Sequence, residues 1–258
     1  MPVLRVMTYN LKGLKLDAPA AAAVVRAADP DVVGVQEPPR GPLGRWRLRR
    51  FARDAGLRVA VGHGGARTTA LLVSPRAGRV EDARAVRLPW FGPRERRTAW
   101  TRRGYALATV DGVRVVSVHL SLDRLERARH LSRILAEVEA TPGPCVVVGD
   151  LNEQPGGETW GRLGALLQDA HVAAADAGRA RTVPGAAGAA PGDAAGGAPG
   201  GVRAEPARTF SAVRPRRRID AVLASPDLVP RAAHVPDDDA ARRASDHLPI
   251  VADLELPG

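Results

Sequence analysis

A series of short apolar runs, several of them ending on one polar residue, most constrains what this chain can fold into. Val6-Met7-Thr8-Tyr9 ends at Asn10, and Val32-Val33-Gly34-Val35-Gln36 ends at Glu37. Val115-Val116-Ser117-Val118 ends at His119, and Val146-Val147-Val148-Gly149 ends at Asp150, with Asn152 two residues on. Ser245-Asp246-His247 precedes a final run at 250–256, and Asp220 lies inside Arg218-Ile219-Asp220-Ala221-Val222. Runs of this length and β-branched content are strands. Side chains at the ends of sheet strands converge on a common cleft. One Asp or Asn after a strand is ordinarily a turn or cap, one His an edge residue, and Glu37 before Pro38-Pro39 a loop carboxylate. Six such positions in order are not explained that way. Asp220 stands out singly, because a carboxylate inside an apolar strand needs a partner.

Strand character appears at residues 4–9, 32–36, 57–61, 70–73, 106–110, 113–119, 145–149, 219–224 and 250–256. The runs 106–110 and 113–119 flank Asp111-Gly112 and predict a hairpin. Asp17 followed by Pro19 opens an Ala/Val helix ending near Asp29-Pro30. Asp123 caps a second helix, with Glu126 at the capping-box position and Leu125, Ala128, Leu131, Ile134, Leu135 and Val138 along one face. A third starts near Glu158 and uses Trp160, Leu163, Leu166 and Leu167. Strands interleaved with helices predict a layered α/β fold. Residues 173–205 are Ala/Gly/Pro-rich without apolar periodicity, which predicts a flexible insertion within a single domain spanning 1–258. Aromatics make up only 3% of the chain, so Val, Leu, Ile and Ala must build the core.

The formal net charge is +10, and every basic residue except Lys12 and Lys15 is Arg. That excess reads equally as attraction for phosphate-rich partners and as a GC-rich coding bias. The run Pro215-Arg216-Arg217-Arg218 is either a phosphate-gripping rim or a solvated charge run. Arg94, Arg96, Arg97, Arg102 and Arg103 read as a solvated cluster. Cys145, the one cysteine, lies in an apolar run and reads as a small buried hydrophobe. The N-terminus enters a strand directly, and no window reaches the ~18 apolar residues of a membrane span. A soluble cytoplasmic protein with no transmembrane segment is expected.

Met7-Thr8-Tyr9-Asn10, Val35-Gln36-Glu37, Ser117-Val118-His119-Leu120, Gly149-Asp150-Leu151-Asn152, Arg218-Ile219-Asp220 and Ser245-Asp246-His247-Leu248-Pro249 together resemble the endonuclease/exonuclease/phosphatase superfamily, the DNase I-like fold. The resemblance covers all but the Ala/Gly/Pro-rich insertion. It implies a four-layer αββα sandwich of two packed mixed β-sheets and Mg²⁺- or Mn²⁺-dependent hydrolysis of phosphoesters. By analogy Glu37 is the main metal ligand, with Asn10 and Asp246 nearby. Asp150 orients or deprotonates the attacking water, and Asn152 helps to position it. His119 and His247 bind phosphoryl oxygens as imidazolium groups, and Asp220 fixes the His247 tautomer. A hard divalent cation prefers such oxygen ligands, and fixed positive groups stabilise charge growing on phosphoryl oxygens.

Two departures narrow the expectation. Lys12 stands where abasic-site endonucleases of the superfamily carry an acidic residue, and residues 65–72 lack the Glu that pairs with the first His in some members. The expected activity is a metal-dependent, nuclease-like phosphodiesterase, with nucleic acid among the candidate substrates. Its alternatives are a phospholipid or phosphoinositide phosphoesterase and a non-catalytic phosphate-binding module.

Overall fold

A computed structural model describes residues 1–90, 101–140, 142–182 and 208–257. In chain order the first half comprises β1 (Val3–Asn10), α1 (Ala18–Ala28), β2 (Val32–Gln36), α2 (Gly44–Asp54), β3 (Arg58–Gly62), β4 (Thr69–Val73), β5 (Val80–Arg87) and β6 (Gly104–Val110). There follow β7 (Val113–His119), α3 (Arg124–Glu139), β8 (Cys145–Asp150), α4 (Glu158–Gly164), β9 (Gln168–Asp169) and α5 (Ala170–Thr182). The chain closes with β10 (Asp220–Ala224), β11 (Val229–His234), α6 (Asp239–Ala244) and β12 (Ile250–Glu255).

The helices begin where the sequence signals them. Asp17 Oδ1 accepts the amide of Ala20 at 2.8 Å, Pro19 sits in the first turn, and Asp29 ends α1 in the left-handed region. Asp123 Oδ1 accepts the Glu126 amide at 2.7 Å at the head of α3. The hairpin forms between β6 and β7, with Asp111 and Gly112 both at positive φ. Helix α2 was not anticipated, because Arg residues crowd its sequence. Only Leu48, Phe51 and Ala52 give it an i, i+3, i+4 apolar stripe, and all three are buried. Edge strands β5 and β11 were missed because they are largely exposed and carry no apolar run.

One expectation is corrected. Residues 173–182 of the anticipated flexible insertion are helical, within α5. Alanine is the strongest helix former, and Ala170 and Ala174 are buried, so a few Ala side chains suffice without an apolar repeat. Residues 183–205 of that insertion lie outside the described residues.

The strands form two six-stranded sheets, ordered β11-β12-β1-β2-β4-β3 and β5-β6-β7-β8-β10-β9. Each is antiparallel except for a parallel pair at its centre, β1–β2 in one and β7–β8 in the other. One apolar core joins the sheets. A second packs α1, α2 and α6 on the outer face of the first sheet, and a third packs α3 and α4 on the second. This is the αββα sandwich the motifs implied.

Side chains alternate across a strand, and that period places the site. Leu4 and Val6 of β1 enter the inter-sheet core while Met7 and Tyr9 face the helices, so the alternation carries Asn10 to the slot between sheets. By the same count Val113 and Val115 lead to His119, and Val146 and Val148 lead to Asp150. Val222 and Ala224 set the inward parity of Asp220. In register, His119 and Asp220 flank Asp150, and Asn10 pairs with Gln36. Gly34 lets the sheets close up, since a Cβ there would lie 2.2 Å from Val148 Cγ2.

Candidate active site

Asp150 is the hub of the polar end of the slot. Its Oδ2 accepts Asn10 Nδ2 at 3.2 Å and lies 3.6 Å from His119 Nε2 and 3.9 Å from His247 Nε2. Its Oδ1 accepts the Asn152 amide at 2.9 Å, and Asn152 Nδ2 donates to Leu120 O at 2.9 Å. The carboxylate is almost completely buried. Burial, reinforced by the charge of Asp220, pushes the Asp150 carboxyl up to about 7, against the pull of His247 and the hydrogen bonds from Asn152 and Asn10.

Behind His247 stands Asp220, whose Oδ2 lies 3.0 Å from His247 Nδ1 and accepts the Thr209 hydroxyl at 2.6 Å. Burial alone would lower the His247 pKa. The Asp220 carboxylate, with Asp150 and Asp246, overrides it and holds the imidazolium up to about 9. His119 behaves oppositely. Burial, with Arg103 adding to it, takes His119 well below the usual histidine range, so its ring is neutral. The expectation of two imidazolium groups is therefore corrected to one cation and one neutral ring. No carboxylate meets His119 Nδ1 among the described residues; the backbone of Thr68 is the hydrogen-bonding group beside the ring, and it only partly opposes the effect of burial.

The other expected residues gather at the mouth. Glu37, Asp246, His119, Asp150, Asn152 and His247 line one cavity of about 690 Å³, with Asn10 and Asp220 immediately behind. Lys12, Glu37 and Asn152 all hold left-handed φ, at 45°, 49° and 51°. That region costs a residue with a side chain on the order of 1 kcal/mol or more, and such strain clusters at functional sites. The Glu37 carboxylate makes no hydrogen bond or ion pair among the described residues. Asp246 Oδ2 pairs with Lys12 Nζ at 2.8 Å, and Asn10 Oδ1 accepts the Lys12 amide at 3.0 Å.

Glu37, Asp246 and Asn10 offer oxygen donors of the type a hard divalent cation prefers, although Asp246 Oδ2 and Asn10 Oδ1 already engage Lys12. Side-chain atoms of Asp150, Asp220 and His247 also lie within 4.8 Å of one another and could hold an ion. There, however, His247 Nδ1 and Asp220 Oδ2 already engage each other.

Some of the site was not anticipated. Arg103, expected in a solvated cluster, is buried, lines the cavity and donates Nη1 to His119 O at 3.0 Å. Exposed Arg102 stacks over Trp90 at 5.7 Å, and Arg94, Arg96 and Arg97 lie outside the described residues. The run at 215–218 divides: Arg218 is buried against Asp169 at 2.7 Å, whereas Arg217 lines the cavity and stacks over Phe210 at 4.6 Å. Phe210 in turn packs its ring 4.8 Å from that of His247. Thr209 and Phe210 follow the low-complexity segment, where no sequence pattern singles them out. Ser245 carried a stronger signal inside its motif; its hydroxyl donates to Asn10 O at 2.6 Å and ties the two ends of the chain together at the site.

The family model described as Endonuclease/Exonuclease/phosphatase family matches residues 7–247. The chain belongs to this family. Its members hydrolyse phosphoesters, and the chain is a hydrolase of that type. Among solved structures it is similar to an endonuclease/exonuclease/phosphatase from Beutenbergia cavernae at 26% identity and TM-score 0.66, covering all of this chain and 72% of that one. A mannosyl-6-phosphatase from Bacteroides thetaiotaomicron shares the fold at 15% identity and TM-score 0.68, covering 98% of this chain and 100% of the other. So does D. rerio TDP2 humanized by 14 mutations, at 19% identity and TM-score 0.66, covering 98% and 99%. No curated protein sequence matches. Among the described residues no helix is long and apolar enough to cross a membrane.

Proposed function

We propose that this family member is a divalent-metal-dependent phosphodiesterase that activates a water molecule at Asp150. One arrangement carries the reading: the buried Asp150 carboxyl, which burial raises to about 7, lies within 4 Å of both His119 Nε2 and His247 Nε2. A base with a pKa near the working pH is the efficient one. Asp150 takes the proton of the attacking water, and Asn152 helps to hold that water and the phosphate. His247, kept cationic and in one tautomer by Asp220, donates from Nε2 to a phosphoryl oxygen. Neutral His119 offers a second ring nitrogen to the same group. Glu37, with Asn10 and Asp246, would hold Mg²⁺ or Mn²⁺, which supplies Lewis-acid charge stabilisation at the phosphoryl group.

Charge around the cavity supports a polyanionic substrate, with nucleic acid first among the candidates. Lys12, Lys15, Arg40, Arg103 and Arg217 all line it. We take the chain as one domain, because β12, near its C-terminus, is hydrogen-bonded between β1 and β11. The test is an assay of purified protein with Mg²⁺ or Mn²⁺ on plasmid DNA, bis-p-nitrophenyl phosphate and sphingomyelin, beside Asp150→Ala and His247→Ala. Cleavage of DNA and the aryl diester by wild type alone is expected. Cleavage of sphingomyelin only would move the substrate to lipid. Equal inertness of wild type and variants on all three would leave a phosphate-binding module.

A further inference from the structure

We propose that Lys12 is a built-in counter-ion for Asp246, occupying the place of a second divalent cation and restricting the site to one metal ion. The inference rests on the metal-dependent reading above. Its direct support is the pair itself: Lys12 Nζ stands 2.8 Å from Asp246 Oδ2 at the wall of the catalytic cavity.

The backbone delivers the ammonium deliberately. Lys12 opens a short 3-10 turn, Lys12–Leu14, and holds a left-handed φ of 45°. Its amide donates to Asn10 Oδ1 at 3.0 Å, and the next amide, of Gly13, donates to Glu37 O at 2.8 Å. The turn is thus tied to two of the three residues that would hold the metal, while its side chain neutralises the third.

Composition points the same way. In a chain whose other basic residues are all arginine, the two lysines, Lys12 and Lys15, both line this cavity. A guanidinium is a broad planar fork, whereas an ammonium is a compact point charge on a flexible stem with three donors. A point charge can stand in for a small cation; a planar fork fits that place poorly. One Lys12 donor is used on Asp246, which leaves two for an oxygen of the substrate phosphate. Among the described residues Asp246 Oδ1 meets only the Ser245 hydroxyl, at 3.5 Å, so the residue can still ligate one ion through that oxygen. A carboxylate already compensated by a tethered cation attracts a second ion weakly.

The test is a Mn²⁺ titration of the full chain followed by the electron paramagnetic resonance signal of free Mn²⁺. Wild type, Lys12→Met, Lys12→Glu and Arg58→Met, an exposed residue of edge strand β3 outside the cavity, are compared, with circular dichroism melts establishing that each is folded. Wild type is expected to bind one ion. Lys12→Met should bind it about tenfold more tightly, a figure moderated by the partial exposure of the pair. Lys12→Glu should take up a second ion per chain, and Arg58→Met should match wild type within about twofold. The proposal is overturned if Lys12→Met binds no more tightly than wild type, if Lys12→Glu still binds one ion, or if Arg58→Met tightens binding as much as Lys12→Met. If no folded form binds Mn²⁺, the metal-dependent reading falls, and the role of Lys12 falls with it.

Discussion

Replacing Asp220 by Asn should slide the whole pH–activity profile toward acid. Asp220 is the leading cause that raises His247, and its charge also raises Asp150. The sign follows from the roles of the two groups. Activity needs Asp150 ionised, so it rises through about 7, and it needs His247 protonated, so it falls through about 9. Relative to its ordinary value of 6.5, His247 at about 9 reflects a preference for the charged form on the order of 3 kcal/mol. Asparagine keeps an acceptor for the Thr209 hydroxyl and for His247 Nδ1–H but removes the charge. If half of that preference depends on the charge, the alkaline limb falls by about one pH unit or more, and kcat/KM at pH 8.5 falls on the order of fivefold or more. The acid limb should fall too, so the variant retains more of its activity near pH 6. The assay is kcat/KM for bis-p-nitrophenyl phosphate from pH 5.5 to 10 at a saturating, fixed metal concentration. A uniform loss at every pH, with the alkaline limb still near 9, would refute the reasoning and leave Asp220 a packing residue.

Other consequences are equally direct. Asp150 carries a raised pKa in the folded chain, so its contribution to stability falls as pH rises from about 4 through about 7. In metal-free buffer at pH 8, Asp150→Asn should therefore unfold at no lower urea concentration than wild type, and a clear loss of stability would contradict the burial argument. Gly34→Val puts a side chain where Val148 Cγ2 already stands 2.2 Å from the Cβ position. Urea unfolding should show a loss of about 1–3 kcal/mol or more, and a neutral result would mean the sheets can separate there. Removing divalent ions with EDTA should abolish hydrolysis, and Mn²⁺ or Mg²⁺ added in excess should restore it; activity persisting in EDTA would exclude the ion.

Much of this site is legible in the sequence because strands are periodic. Once Val146 and Val148 are inward, Asp150 must be inward too, and the same count places Asn10, His119 and Asp220. The apolar runs also give every inner strand of both sheets. What the runs cannot show is charge state. His119 and His247 look alike in sequence, yet Arg103 lies beside one and Asp220 beside the other. Arg103 itself sat in a stretch of arginines that reads as solvated, and only the fold turns it inward toward His119 O. Thr209 and Phe210 reach the site from the far end of a low-complexity segment. Edge strands β5 and β11, largely exposed, leave no apolar run, and the buried side chains described in α5, Ala170 and Ala174, are too few to make an apolar repeat.

The most direct measurement is the initial rate of bis-p-nitrophenyl phosphate hydrolysis at pH 8 with Mn²⁺, for wild type and Asp150→Asn. Wild type should turn over, and the variant, still folded, should be slower by at least about 10². Equal rates in the two proteins, or no turnover by wild type with either Mn²⁺ or Mg²⁺, would contradict a metal-dependent phosphodiesterase centred on Asp150.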